Sequence, residues 1–332
     1  MNINLKGIEM RKIFRLALLG MSLALVGCGQ TVSTQPNETT QVAEEVESLT
    51  EETSTMTVIH SLGETEVKRN PKNIVVFDYG ILDTLDELGI QVVGIAPSNL
   101  PRYLTKYSEG NYENVGTLFE PDLEKIYELE PELIIIGQRQ ASYYEELTKI
   151  APTISLEVDS SNYLESFKTN MAYIAEIFGK EEEVQEKMEA YEKEIKEVAA
   201  LAEEKEINGL IVLANDKAIS VFGEGSRFGI IHEDFGVAPV DKTIELSNHG
   251  QNANFEYILE KNPDYIFVID RAAVAGGETA ANDLIENELI KLTDAYKNER
   301  IIYLDPEAWY VANGGFQGTK IMIDEMKVAL EK

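Results

Sequence analysis

FEYILEKNPDYIFVIDR, residues 255–271, decides the fold. It reads as a short helix, a turn at Pro263, a buried strand over Tyr265–Ile269, and a charge pair, Asp270 and Arg271. The same order occurs earlier, in LEKIYELEPELIIIGQR, residues 123–139. Aligned without gaps, Glu124 falls on Glu256, Ile126 on Ile258, Pro131 on Pro263 and Arg139 on Arg271. Two βα units share a grammar, but an arginine held at the same offset after both strands is not part of that grammar. The chain therefore carries an internal repeat, which predicts two similar lobes.

Around the repeat, short apolar runs alternate with amphipathic segments. Predicted strands are Ile74–Phe77, Val92–Ala96, Leu133–Ile136, Thr153–Leu156, Leu210–Ala214, Tyr265–Ile269 and Ile301–Leu304. Helical segments lie between most of them, the mark of an α/β fold with Rossmann-like lobes. One helix stands apart. Residues 181–204 carry Val184, Met188, Tyr191, Ile195 and Val198 at steps of four and three, with no internal Gly or Pro, and Gly179 ends the helix before it. At 1.5 Å per residue it spans about 36 Å. Its apolar stripe is narrow and the rest is charged, as in a surface helix packed along both halves of a protein; an ordinary amphipathic helix of one domain reads the same way. The predicted organisation is a lobe over 56–180, a connecting helix over 181–204 and a second lobe over 205–332.

Lys and Arg total 29 against 59 Asp and Glu, a net charge of −30. That balance argues against a nucleic-acid partner, because phosphate binding needs a basic footprint. Residues 1–27 read as a signal peptide: Lys6, Arg11, Lys12 and Arg15 precede an apolar run, Leu16–Val26, which is too short to span a bilayer. Met10 serves as well as Met1 for a start. The run ends in Leu25-Val26-Gly27-Cys28, which resembles a bacterial lipobox and makes Cys28, the one cysteine, the site of lipidation. Cleavage there removes four basic residues and one acidic residue and takes the charge from −30 to −33. Residues 28–55 follow as a flexible tether, with six Glu and no Lys or Arg. A lipid anchor on such a leash places the body outside the cytoplasmic membrane.

Ligands of open α/β sheets bind beyond the carboxyl ends of the strands. Arg139 and Arg271 would then face each other across the cleft between lobes. Arg227, in GEGSRFGIIHEDFG, is a third cation, in a glycine-rich stretch that lacks any phosphate-loop spacing. His249, in SNHGQNANFE, and Tyr310, in DPEAWYVANGG, sit in loops near strand ends. They offer an imidazole nitrogen and a phenolic oxygen, both acceptable to ferric iron.

SRFGIIHEDFG, the His249-Gly250 pair, NPDYIFVIDR and IIYLDPEAWY together give the chain a family likeness. It resembles the lipid-anchored substrate-binding proteins of ABC importers for iron–siderophore complexes, nearest to binders of catecholates of the petrobactin type. The resemblance covers nearly the whole mature chain. It implies a class III periplasmic-binding-protein fold and a monomer with no cofactor of its own, taking ferric iron as a siderophore complex. By the same likeness Arg139, Arg227 and Arg271 embrace the anionic chelate. His249 and Tyr310 complete the iron's coordination when a tetradentate siderophore leaves two sites open. Glu124 and Glu256, one per lobe, dock onto the permease subunits.

Two other readings stand beside it. The same fold serves haem or cobalamin. A hydrolase working through paired carboxylates is a different class, and spacing alone leaves it open. The chain has no GxSxG and no HExxH, and Cys28 is not available once acylated, so no enzyme motif is present.

Overall fold

The structure is a computed structural model that describes residues 54–247 and 249–331. The stretch read as a signal peptide, Cys28 and nearly all of the stretch read as a tether lie outside the described residues. Among the described residues the first elements are β1 (Thr55–His60) and β2 (Gly63–Lys68), which pair antiparallel. This hairpin is absent from the sequence reading, although Met56, Val58 and Val67 alternate inward as a half-buried strand pair should. It closes one edge of the first lobe, where the Thr65 hydroxyl donates to the Thr153 carbonyl at 2.9 Å.

The first lobe is built on a parallel sheet. Its strands are β3 (Ile74–Val76), β4 (Gly94–Ile95), β5 (Glu113–Asn114), β6 (Leu133–Ile136) and β7 (Thr153–Ser155), in the order β5-β4-β3-β6-β7. β3 and β6 are buried at every position, as continuous β-branched runs covered on both faces must be.

The second lobe is a mixed sheet of β8 (Asn208–Asn215), β9 (Ala218–Phe222), β10 (Ala238–Pro239), β11 (Gln251–Ala253), β12 (Tyr265–Asp270) and β13 (Ile301–Leu304). The order is β11-β9-β8-β12-β13, with β10 paired to β8. Here β9 folds back antiparallel on β8 through a two-residue turn. The sequence reading has neither β9 nor β11, because it applies the parallel grammar of the first lobe throughout.

The repeat is a structural one. β6 lies beside β3 and β12 beside β8, each the first strand of its sheet, and β7 and β13 lie one strand further out. The preceding helices, Leu123–Glu128 and Phe255–Lys261, are N-capped by Asp122 and Asn254, which accept from the amides of Lys125 and Tyr257. Ile126 and Ile258 are both fully buried. Glu130 and Asn262 both turn the chain at φ 45° just before the prolines.

The lobes meet through helices. The connecting helix runs Glu181–Glu204 and buries Val184, Met188, Tyr191, Ile195, Val198 and Ala202. At its start Lys187 pairs with Glu87 of the first lobe at 2.8 Å. Near its end the backbone of Ala199 lies against Gly236 of the second. The C-terminal helix, Phe316–Glu331, follows the second sheet in the chain but packs on the first lobe. Asp83 accepts from the amides of Gln317 and Gly318 at 3.1 and 2.8 Å, and Phe316 meets Phe167 edge-on. The Tyr191 hydroxyl donates to the Phe316 carbonyl at 3.0 Å, tying the two long helices together.

Candidate functional site

Arg139 sits in the 3-10 turn Gln138–Tyr143 directly after β6, and Arg271 opens the helix Arg271–Ala275 directly after β12. Each side chain is thus thrown from the carboxyl end of the repeat strand, as the strand-end rule requires. Arg227 comes from the loop beyond β9, ahead of the short helix Ile230–Glu233. Tyr310 lies in a π-helical turn, Glu307–Val311, after β13.

These four residues converge. Arg139 reaches out of the first lobe to donate to the carbonyls of Tyr310 and Val311 at 3.3 and 3.5 Å. Arg227 donates to the same Tyr310 carbonyl at 2.6 Å and stacks its guanidinium 4.0 Å over the Tyr310 ring. Arg271 donates through Nε to the Tyr310 hydroxyl at 2.9 Å and through Nη1 to Asn215 Oδ1 at 2.9 Å. Burial pushes the Tyr310 phenol up, but Arg227 and Arg271 outweigh it, and its pKa falls below the ordinary tyrosine value. Burial lowers Arg227 from the usual guanidinium range, and the charges of Arg139 and Arg271 add to that. Three cations drawn to one residue form a site that favours negative charge.

The cleft beside them has a volume of about 370 Å³. The face of the β8–β9 hairpin forms its floor, through Leu213, Asn215, Ser220 and Phe222. Arg227, Arg271, Tyr310, His249 and Asn252 line the rest. His249 is exposed at the cleft edge. Gly250 places it: at φ 73° a Cβ would come 2.6 Å from the Phe222 ring, so only glycine lets the chain pass this close before β11.

Sequence reasoning missed several residues. Asn215, at the carboxyl end of β8, orients Arg271 and was open to the strand-end rule. Arg102 gave no sequence signal. From the first lobe it clasps Asp305 at 2.8 Å and Glu307 at 3.1 Å, at the root of the Tyr310 turn. Glu124 and Glu256 lie outside this cleft, each exposed in the first turn of a repeat helix and without a side-chain ion pair among the described residues.

Two α/β lobes joined by one long helix, with arginines gathered at the strand ends beside a cleft, are the architecture of a solute-binding protein. The chain belongs to the periplasmic binding protein family, whose model matches residues 74–308. It is 47% identical over 281 residues to the petrobactin-binding protein YclQ of Bacillus subtilis, covering 83% of this chain and 89% of that one. The crystal structure of YclQ superposes with a TM-score of 0.81 over 84% of this chain and 99% of that chain. The catecholate-siderophore-binding protein VctP of Vibrio cholerae gives a TM-score of 0.80 at 37% identity, covering 83% of this chain and 100% of that one. The ferric-anguibactin-binding protein FatB of Vibrio anguillarum is 33% identical, covering 80% of this chain and 85% of that one.

Proposed function

We propose that the protein is the extracytoplasmic receptor of an ABC importer and captures a ferric catecholate siderophore between its lobes. The observation that carries this reading is the meeting of Arg139, Arg227 and Arg271, from both lobes, around Tyr310. A ferric tris-catecholate carries about three negative charges. At ~4 Å and an effective dielectric near 20, each arginine–anion charge pair is worth roughly 4 kcal/mol before desolvation. The net charge of −30 does not reverse that, since outer carboxylates beyond a Debye length of about 8 Å are screened. Arginine suits the task because it stays charged and presents a planar fork to several oxygens.

His249 and Tyr310 supply nitrogen and oxygen donors to iron when a tetradentate siderophore leaves two positions open. The lowered phenol pKa of Tyr310 favours the phenolate such a bond needs. Glu124 and Glu256 hand the loaded receptor to the permease subunits. Cys28 anchors a monomer to the outer face of the cytoplasmic membrane, and residues 28–55 tether it there. In chain order the body divides into lobes over 56–180 and 205–332, of which the second sends its last helix, Phe316–Glu331, back onto the first, and the connecting helix keeps their closure small. YclQ, VctP and FatB are binding proteins rather than enzymes, which agrees with a receptor that does no chemistry.

Titration of the purified protein with a ferric catecholate is the test. Quenching of Trp309, the only tryptophan, should saturate at one equivalent, and haem and cobalamin should not compete. Saturable binding of haem or cobalamin without binding of the ferric catecholate would overturn the assignment.

A further inference from the structure

Glu325 projects from the C-terminal helix toward the loop that carries Tyr310, and both its oxygens are engaged there. Oε2 accepts from the indole Nε1–H of Trp309 at 2.7 Å, and Oε1 accepts from the amide of Asp305 at 2.9 Å. The two contacts bracket the turn Asp305–Trp309 at both ends. Trp309 is 1% exposed and cannot swing away, and Tyr310 is the next residue. Among the described residues Glu325 has no ion pair with a cation, and burial raises its carboxyl to about 7. A carboxylate in that position costs stability that an apolar residue would not. Its helix is docked on the first lobe through Asp83, Tyr163 and Phe167. Glu325 therefore refers the Tyr310 turn to the same lobe that supplies Arg139.

We propose that Glu325 is a positioning residue for cargo binding: acting through Trp309 and Asp305, it sets the Tyr310 phenol where an iron with open coordination sites can reach it. The proposal rests on the reading of Tyr310 as an iron donor. Groups that orient a metal ligand from behind are worth about 10- to 100-fold in metal affinity. A group that only satisfies a buried indole affects every cargo alike.

The experiment compares two ferric chelates, a tetradentate bis-catecholate that leaves two sites on iron and a hexadentate tris-catecholate that leaves none. Affinities are read from the catecholate-to-iron charge-transfer band for the wild type, Glu325→Gln, Trp309→Phe and Tyr310→Phe. The expected result is a loss of about 10-fold or more for the tetradentate chelate in all three variants, with less than about 2-fold for the hexadentate one. Trp309→Phe removes the same hydrogen bond from the other side and carries the test if Glu325→Gln does not fold. Equal losses for both chelates, or none, in Glu325→Gln and Trp309→Phe while Tyr310→Phe stays selective would overturn the positioning role alone. A Tyr310→Phe variant that does not discriminate would overturn the iron-donor reading and the Glu325 assignment with it.

Discussion

Arg139 and Arg227 donate to one carbonyl, and Arg271 donates to the phenol of the same residue. Like charges gathered this closely disfavour one another, which is why the Arg227 pKa falls through burial and through its two neighbours. The cost is recovered when an anion enters, so affinity and stability should move in opposite directions. Arg227→Gln should weaken ferric-catecholate binding by about 10- to 100-fold, the range for a lost hydrogen bond to a charged group of about 1.5–3 kcal/mol. The same variant, measured without added ligand, should have a higher Tm than the wild type. A fall in both would make Arg227 a structural residue. Arg139→Gln and Arg271→Gln should weaken binding by a similar factor. The sequence marks Arg139 and Arg271 through their register after matched strands, and Arg227 through a glycine-rich stretch. It did not show that a backbone carbonyl of Tyr310 gathers two of them, since that contact joins residues 171 positions apart.

The helix–turn–strand element of residues 123–139 recurs over 255–271, and its two copies test each other. Glu130 holds φ 45°, a left-handed conformation that costs an ordinary side chain about 1 kcal/mol, where the second copy has Asn262. Glu130→Asn should therefore raise Tm by the equivalent of several tenths of a kcal/mol up to about 1 kcal/mol, read by thermal denaturation. The paired glutamates belong to this scale too. Glu124→Lys and Glu256→Lys change exposed first-turn positions, so ligand affinity should stay within about 2-fold while siderophore-dependent iron uptake by cells falls. Lost affinity would instead tie these helices to the cleft. The repeat was legible because helix period, proline and arginine recur at fixed offsets. Of the β8–β9 hairpin the sequence pattern marks only the first strand, although Ile219 and Val221 alternate inward. Alternation over so few residues does not say whether the next strand runs parallel or antiparallel.

At the scale of the whole molecule, burial raises several carboxyls among the described residues, Asp83 and Glu325 to about 7, Asp234 to about 6, and Asp78 as well. A carboxyl whose folded pKa lies above its unfolded value holds its proton longer in the native state. Its stabilising effect is complete below the unfolded value and is lost as pH rises through the folded one. Lowering pH from 8 to 6.5 should thus raise Tm, with Asp83 contributing about 1 kcal/mol. His60 and His232, both lowered by burial, act in the opposite sense and begin to oppose the gain below about 6.5, where the unfolded chain takes up their protons. Asp83→Asn should flatten the rise measured by calorimetry. A Tm unchanged between pH 8 and 6.5 would mean that these carboxyls stay ionised in the fold.

The α/β class, the two-lobed plan, the long connector and the paired arginines, Arg139 and Arg271, are written in local patterns: periodicity, a gapless repeat, and charges at fixed distances from strand ends. Such patterns survive in one dimension because they depend on neighbours a few residues apart. The return of the C-terminal helix to the first lobe, the clasp of Arg102 on Asp305 and Glu307, and the bracing of Trp309 by Glu325 follow no local pattern. They depend on which surfaces the two lobes leave free once each has folded. Only packing in three dimensions decides that.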